Sequence, residues 1–360
     1  MVSEMSAPTT DSAMYQTMHR QPTDVRRLLD DGWAPAEEAA GRLASARRVL
    51  TVGIGTSYHA ALVGAWLLRA AGCDARAVSS FDFALYPASA DIGADDAVVV
   101  MAHSGVKQYS TRSLERAAQV GATRISIGSL TAEHEGSQQV LRTVERERSA
   151  AFTASHLAAM FVLAQIATVL GESRRSALTS DFRAALQRLP SQVSDVLARE
   201  DEVVPIAREA ATRRIYAVGG GPNEATALEA VIKVREAAQG WIDGLPIEQF
   251  LHGPLVAVNA DDVAVMVNVP GAAAAERVRQ ITRVLDAIGA RLWLIGSGVD
   301  EVEKATVFPV AETPELISPL LAVVPVQILA YQMAVARGIN PDLFRRDDPR
   351  YAAALGLLKL

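Results

Sequence analysis

Short apolar runs rich in β-branched residues, at 49–54, 75–79, 97–101 and 124–128, alternate with longer segments of helical periodicity such as 57–71 and 109–120. Strands alternating with helices predict a parallel sheet built from βαβ units. The same order returns later, with strand-like runs at 215–218, 262–267 and 291–295 and helical patterns at 222–238 and around 273–287. Strand centres 52 and 217, 98 and 264, and 125 and 292 are separated by 165, 166 and 167 residues. An offset held by three elements predicts an internal duplication. Each half closes on a long apolar helix, at 152–169 and 316–336. The stretch 319–336 sits at the lower limit for a membrane span, about 17–25 residues, but contains Pro325, Gln327 and Gln332. It is expected to be a buried helix covering a sheet.

The predicted fold is therefore α/β, two tandem parallel-sheet sandwiches covered by helices. Residues 1–44 form an arm and helix, 45–172 the first sandwich, 173–204 a charged helical connection, 205–337 the second sandwich and 338–360 a tail. The first 13 residues are polar and aperiodic and are expected to be disordered. Pro190 is expected to divide the connection into two segments.

Composition narrows the function. Half of the 360 residues are hydrophobic, enough for two cores. With 35 basic and 41 acidic residues the net charge is −6, which leaves no basic surplus to neutralise a nucleic-acid backbone. Nucleic acid is not an expected partner, nor is a membrane. The single cysteine, Cys73, excludes an intrachain disulfide and a cysteine zinc cluster, and no leader pattern opens the chain, so a cytoplasmic location is expected. The histidines His19, His59, His103, His134, His156 and His252 show no metal-ligand spacing. No metal or cofactor is expected.

In an open parallel sheet, ligands bind beyond the carboxyl ends of the strands, where helix amino termini offer free amides and a positive dipole end. The first such turn reads Gly53-Ile54-Gly55-Thr56-Ser57-Tyr58-His59, two glycines followed by two hydroxyls. It fits an anion site and equally a glycine turn with Thr56 or Ser57 as helix cap. After the third strand comes Ala102-His103-Ser104-Gly105-Val106-Lys107, which groups an imidazole, a hydroxyl and an ammonium. It suits a phosphate or polyol, or is a capping turn with an exposed lysine. Glu147-Arg148-Ser149 precedes the long helix of this half and offers a further polar cluster, whose arginine either meets an anion or is solvated.

In the second half, Gly219-Gly220-Gly221 leads to Pro222 at a predicted first helical position. The helix that follows carries Glu229, Lys233 and Glu236 at i, i+4 and i+7, all on one face. This is either a solvated ion-pair stripe or a base held beside a lysine. Downstream, His252-Gly253-Pro254 puts a histidine in an apolar context, as a core residue or as the second group that proton transfer between adjacent carbons requires.

Together these stretches resemble the tandem sugar isomerase (SIS) domain family, in particular the isomerase half of glucosamine-6-phosphate synthase. The resemblance runs from Met14-Tyr15-Gln16-Thr17-Met18-His19-Arg20-Gln21-Pro22 to Gly338. It rests on Gly55-Thr56-Ser57-Tyr58-His59, on Ala227-Leu228-Glu229 with Lys233 and Glu236, and on His252-Gly253-Pro254-Leu255. The resemblance implies flavodoxin-like halves, a homodimer and a sugar phosphate held mainly by the first half. It implies that Glu236 shuttles a proton between carbons 1 and 2, that His252 assists ring opening from the partner subunit, and that Thr56 and Ser57 contact substrate.

Departures from the family matter too. Its phosphate turn reads Ser-Gln-Ser-Gly-Glu-Thr, so two hydroxyls are absent here and Lys107 is new. Residue 2 is Val2 and Cys73 is internal, so no glutamine hydrolysis is expected of this chain. Ungapped counting from Gly338 puts Pro349 where the family has an imine-forming lysine, while Arg345 is placed to close over the sugar. The expected activity is sugar-phosphate isomerisation. The alternatives are an amino-sugar phosphate deaminase or deglycase, or a non-catalytic sugar-phosphate sensor.

Overall fold

The apolar runs become strands because parallel strands covered on both faces need near-continuous hydrophobic sequence. Ala97–Met101 and Val263–Asn268 are buried at every position. In a computed structural model of the chain, residues 11–105, 107–297 and 305–358 are described. Helices α1 (Ala13–Asp31) and α2 (Trp33–Leu43) come first. Then follow β1 (Val49–Gly53), α3 (Thr56–Ala70), β2 (Ala75–Ser79), α4 (Ser80–Leu85), β3 (Ala97–Met101), α5 (Gln108–Gln119), β4 (Thr123–Gly128), β5 (Gln139–Arg142) and α6 (Ala154–Arg174). Helices α7 (Phe182–Leu197) and α8 (Val204–Ala210) lead to β6 (Arg214–Gly219), α9 (Glu224–Ala238), β7 (Trp241–Pro246) and α10 (Ile247–Leu251). The chain continues through β8 (Val263–Asn268), α11 (Ala275–Ile288), β9 (Arg291–Gly296), β10 (Ala305–Phe308), α12 (Pro319–Arg337) and α13 (Pro349–Leu355).

Each half makes a five-stranded, all-parallel sheet, ordered β2-β1-β3-β4-β5 and β7-β6-β8-β9-β10. One unit joins Arg20–Glu147, Ala154–Pro190 and Arg345–Leu360 and contains the first sheet. The other joins Met1–His19, Arg148–Thr153 and Ser191–Phe344 and contains the second. In the first unit Leu50, Val52, Val98 and Val100 pack with Phe83 and Leu114. In the second, Tyr216, Val218, Met266, Leu292 and Leu294 pack with Phe250, Ile281 and Leu285.

The duplication extends to polar detail. Buried Asp96 accepts from Arg47 at 2.7 Å and from the Gly93 amide at 2.9 Å. Asp262 accepts from Arg214 at 2.8 Å and from the Asn259 amide at 2.7 Å. Both pairs fasten the loop before a central strand. Strands β1 and β6 also end alike: a Cβ on Gly53 would lie 2.3 Å from the Ser57 carbonyl oxygen, and one on Gly219 would lie 2.1 Å from that of Asn223. Only glycine permits these close strand-to-helix turns.

Several expectations are corrected. Residues 1–10 of the expected disordered arm lie outside the described residues, but Ala13 is already helical because the Asp342 carboxylate accepts from the Ala13 and Met14 amides at 2.8 and 2.9 Å. Pro190 does not divide the connection; it sits inside α7, where buried Phe182, Leu186, Leu189, Val193 and Val196 outweigh one lost backbone bond. Pro222 falls in a short 3₁₀ turn just ahead of α9. Helices α6 and α12 are long and apolar enough to cross a bilayer, yet both are mostly buried, α6 packing on α3 and α12 on α9.

Candidate functional site

In the first unit, Gly55 takes φ 58° and ψ −133°, which strongly favours glycine, and turns the chain from β1 into α3. Gly55 is the residue capping α3, and no side chain caps that helix. Thr56 and Ser57 therefore lie in its first turn, half-buried. The capping role expected as an alternative for them is not the one they fill.

The turn after β3 brings His103, Ser104 and Lys107 together ahead of α5, with Gly105 at φ 76°. Lys107 is exposed, and the Ser104 hydroxyl is buried without a hydrogen-bond partner among the described residues. His103 Nε2 accepts from the Glu147 amide at 3.2 Å, so its proton resides on Nδ1. Burial holds this imidazole below its ordinary range; the Glu147 carboxylate opposes that shift, and the charges of Arg146 and Arg20 add to it. His103 is thus neutral at pH 7. Glu147 in turn accepts from the Ser155 amide at 2.7 Å, at the start of α6. The sequence places Glu147 in the polar cluster before the long helix, but no local pattern announces its contact with the imidazole 44 positions away.

Beside the first turn, an open cleft of about 510 Å³ is lined by Tyr58, Ser79, Asp82, Tyr86 and Ser89 among others. Apart from Tyr58 these residues end or follow β2, a strand whose carboxyl end carries no motif singled out from the sequence. Arg345, with φ 56°, stacks its guanidinium 3.8 Å above the Tyr351 ring. Pro349 occupies the first turn of α13, where it offers no amine.

In the second unit, a buried relay sets the start of α9. Asn223 donates to Ser318 Oγ at 2.7 Å and accepts from Thr226 at 2.9 Å. The face of α9 predicted from spacing is present. Lys233 Nζ donates to Glu236 at 2.6 Å and lies 3.6 Å from Glu229. Lys233 and Glu229 are fully buried, and Glu236 keeps 22% side-chain exposure. This is no solvated stripe: buried charges persist only when paired, and here one ammonium serves two carboxylates. Glu236 is the member a ligand can touch.

His252 follows α10 and is 77% exposed, its Nε2 3.7 Å from Glu248. The core role held open for it is therefore excluded. Arg148 is exposed, while Ser149 is buried and accepts from the Ala151 amide at 3.2 Å. Ser149 thus has a local structural use. Both residues belong to the unit that contains α9.

The SIS domain family matches residues 42–169. A glutamine–fructose-6-phosphate aminotransferase (isomerizing) from Gloeobacter violaceus is 28% identical over 354 residues, covering 91% of this chain and 56% of that protein. The chain thus spans little more than half the length of that relative. Among solved structures, the C-terminal domain of glucosamine-fructose-6-phosphate aminotransferase from Francisella tularensis superposes with a TM-score of 0.83 at 18% identity, over 91% of this chain and 97% of that one. A glucosamine-6-phosphate deaminase from Thermotoga maritima gives 0.72 at 20%, over 92% and 97%. The SIS domain family is thus matched over the first sheet, and that sheet's strand order, terminal glycine and Arg–Asp clasp are repeated in the second.

Proposed function

We propose that this protein binds a phosphorylated sugar and moves a proton between its carbons 1 and 2. The observation that carries the reading is Glu236, a partly exposed carboxylate held at 2.6 Å by a fully buried lysine. In the aldose-to-ketose direction Glu236 removes the carbon 2 proton, its electron pair forms the carbon 1–carbon 2 double bond as the carbonyl pair moves onto O1 and takes up a proton, and the enediol collapses as O2 gives up its proton, carbon 2 becomes the carbonyl and Glu236 returns its proton to carbon 1. Exposed His252 acts on the ring oxygen, reaching the site of a partner subunit in a homodimer. Lys233 orients the shuttle and compensates its charge, with Glu229 balancing the lysine from the other side.

Gly55, Thr56 and Ser57 hold sugar hydroxyls, and His103, Ser104 and Lys107 hold the anionic group. The unpartnered Ser104 hydroxyl and the neutral His103 suit this, because each has hydrogen-bonding capacity and Lys107 supplies the positive charge. Arg148, Ser149 and Arg345 are the remaining substrate contacts in this reading. The donor set needs no metal or cofactor for an enediol step.

A second reading, removal of an amine from an amino-sugar phosphate, is favoured by the Asp82 cleft. A cleft lined by a carboxylate and by Tyr58 and Tyr86 suits a cationic substituent. Incubation in deuterated water with fructose 6-phosphate, glucose 6-phosphate or glucosamine 6-phosphate, with and without ammonium, separates these readings by NMR. Exchange at carbons 1 and 2 that vanishes in Glu236→Gln while sugar affinity is kept supports the proton shuttle, and ammonia release marks the deaminase. Undiminished exchange in that variant overturns the assignment, and tight binding with no exchange points to a sensor.

A further inference from the structure

A second pocket lies at the amino-terminal edge of β6 and β7, where α8, α9 and α12 end. Its volume is about 710 Å³, within the roughly 300–1,000 Å³ typical of small-molecule sites. It is lined by Arg208, Arg213, Arg214, Arg337, Gln239 and Trp241 with small neighbours, and shares no lining residue with the α9 carboxylates or the glycine turns. Arg214 is engaged with Asp262 at 2.8 Å, and Arg337 donates to the Gln239 carbonyl at 3.2 Å. Arg208 and Arg213 have no acidic partner among the described residues. Trp241 is 73% exposed.

Arginines at helix carboxyl ends complement the helix dipole, and Arg337 does so. That explanation does not reach Arg213, which lies between α8 and β6, nor the exposed indole. The duplicated half supplies an internal control. In the register of β1 with β2, Val49 faces Ala75; at the matching place in the second sheet, Arg214 faces Trp241. At the end of α6, Arg174 folds back to donate to the Ala44 and Ala71 carbonyls, closing the corresponding corner. The indole and Arg214 are thus particular to the second half, where the first has Ala75 and Val49, while Arg213 and Arg337 have counterparts in Arg48 and Arg174.

We propose that this pocket is a binding site for a nucleoside diphosphate, with the base stacked on Trp241 and the phosphates held by Arg208, Arg213 and Arg337. A flat indole is the common platform for a nucleobase, and guanidinium forks match phosphate oxygens. The site is separate from the proton shuttle and stands whether or not that assignment holds.

The test is calorimetric titration of the full chain with ADP, UDP and pyrophosphate in phosphate-free buffer, alongside tryptophan fluorescence. ADP or UDP should bind saturably and quench Trp241 emission. The Arg208→Ala/Arg213→Ala double variant should weaken nucleotide by about tenfold or more. Trp241→Ala should weaken nucleotide but leave pyrophosphate affinity nearly unchanged. Circular dichroism of both variants checks that they fold. Absence of saturable nucleotide binding, binding of pyrophosphate alone, or loss of binding in Lys107→Ala rather than in the arginine variant each overturns the proposal.

Discussion

Replacing Lys233 by methionine removes the ammonium while keeping most of the side chain's volume. Its consequence follows from burial. Glu236 has 22% exposure and can recruit water, whereas Glu229 is fully enclosed and loses the cation 3.6 Å away. Removing one partner of a buried ion pair costs about 3–5 kcal/mol, because the remaining charge is left uncompensated. A domain of ordinary stability has about 5–15 kcal/mol in all, so the loss is a large share. Neutralising the stranded group should reverse it: Glu229→Gln on the Lys233→Met background should restore at least about 2 kcal/mol, a coupling of the size found between contacting residues.

The two units need not unfold together, so the probe must report on the right one. Trp241 and Trp293 lie in the unit that contains α9, and Trp33 and Trp66 in the other. Urea unfolding followed by fluorescence in a Trp33→Phe/Trp66→Phe background therefore reads the affected transition. A cost below about 1 kcal/mol for Lys233→Met, or a double variant less stable than the single one, would refute the claim that Lys233 and Glu229 form a buried ion pair on α9.

Two further outcomes are expected. Burial, with Arg142 nearby, holds the His134 imidazole down to about 4, so the folded protein resists the proton that the unfolded chain accepts near 6.5. Its contribution is present above pH 6.5 and is lost as pH falls toward 4, by roughly 2 kcal/mol; unfolding at pH 7 and 4.5 should show His134→Gln narrowing the gap, and an equal loss in both proteins would contradict this. If His252 acts across a homodimer, mixing Glu236→Gln with His252→Ala after subunit exchange should restore about a quarter of wild-type turnover, one intact site in half of the dimers. Recovery of none would place His252 in its own subunit's site.

The physical limits of the sequence show in particular elements. The central strands were legible because a strand buried on both faces must be apolar throughout, and Ala97–Met101 is. Strands Gln139–Arg142, Trp241–Pro246 and Ala305–Phe308 were not: they lie at sheet edges and expose part of their length, and the first two carry Gln, Asp, Gly or Pro where a central strand has Val. The α9 spacing of i, i+4 and i+7 fixed a shared face but not its depth, since a solvated stripe and a buried triad have the same periodicity. What separates them is the packing of α12 along α9, a contact between residues about a hundred positions apart. The basic pocket is further from view still, because Arg208, Trp241 and Arg337 come from three separate stretches that only the fold brings to one edge. Periodicity reports which residues share an element; which elements share a corner is decided by long-range packing, and in this chain both the charged triad and the arginine pocket are products of that packing.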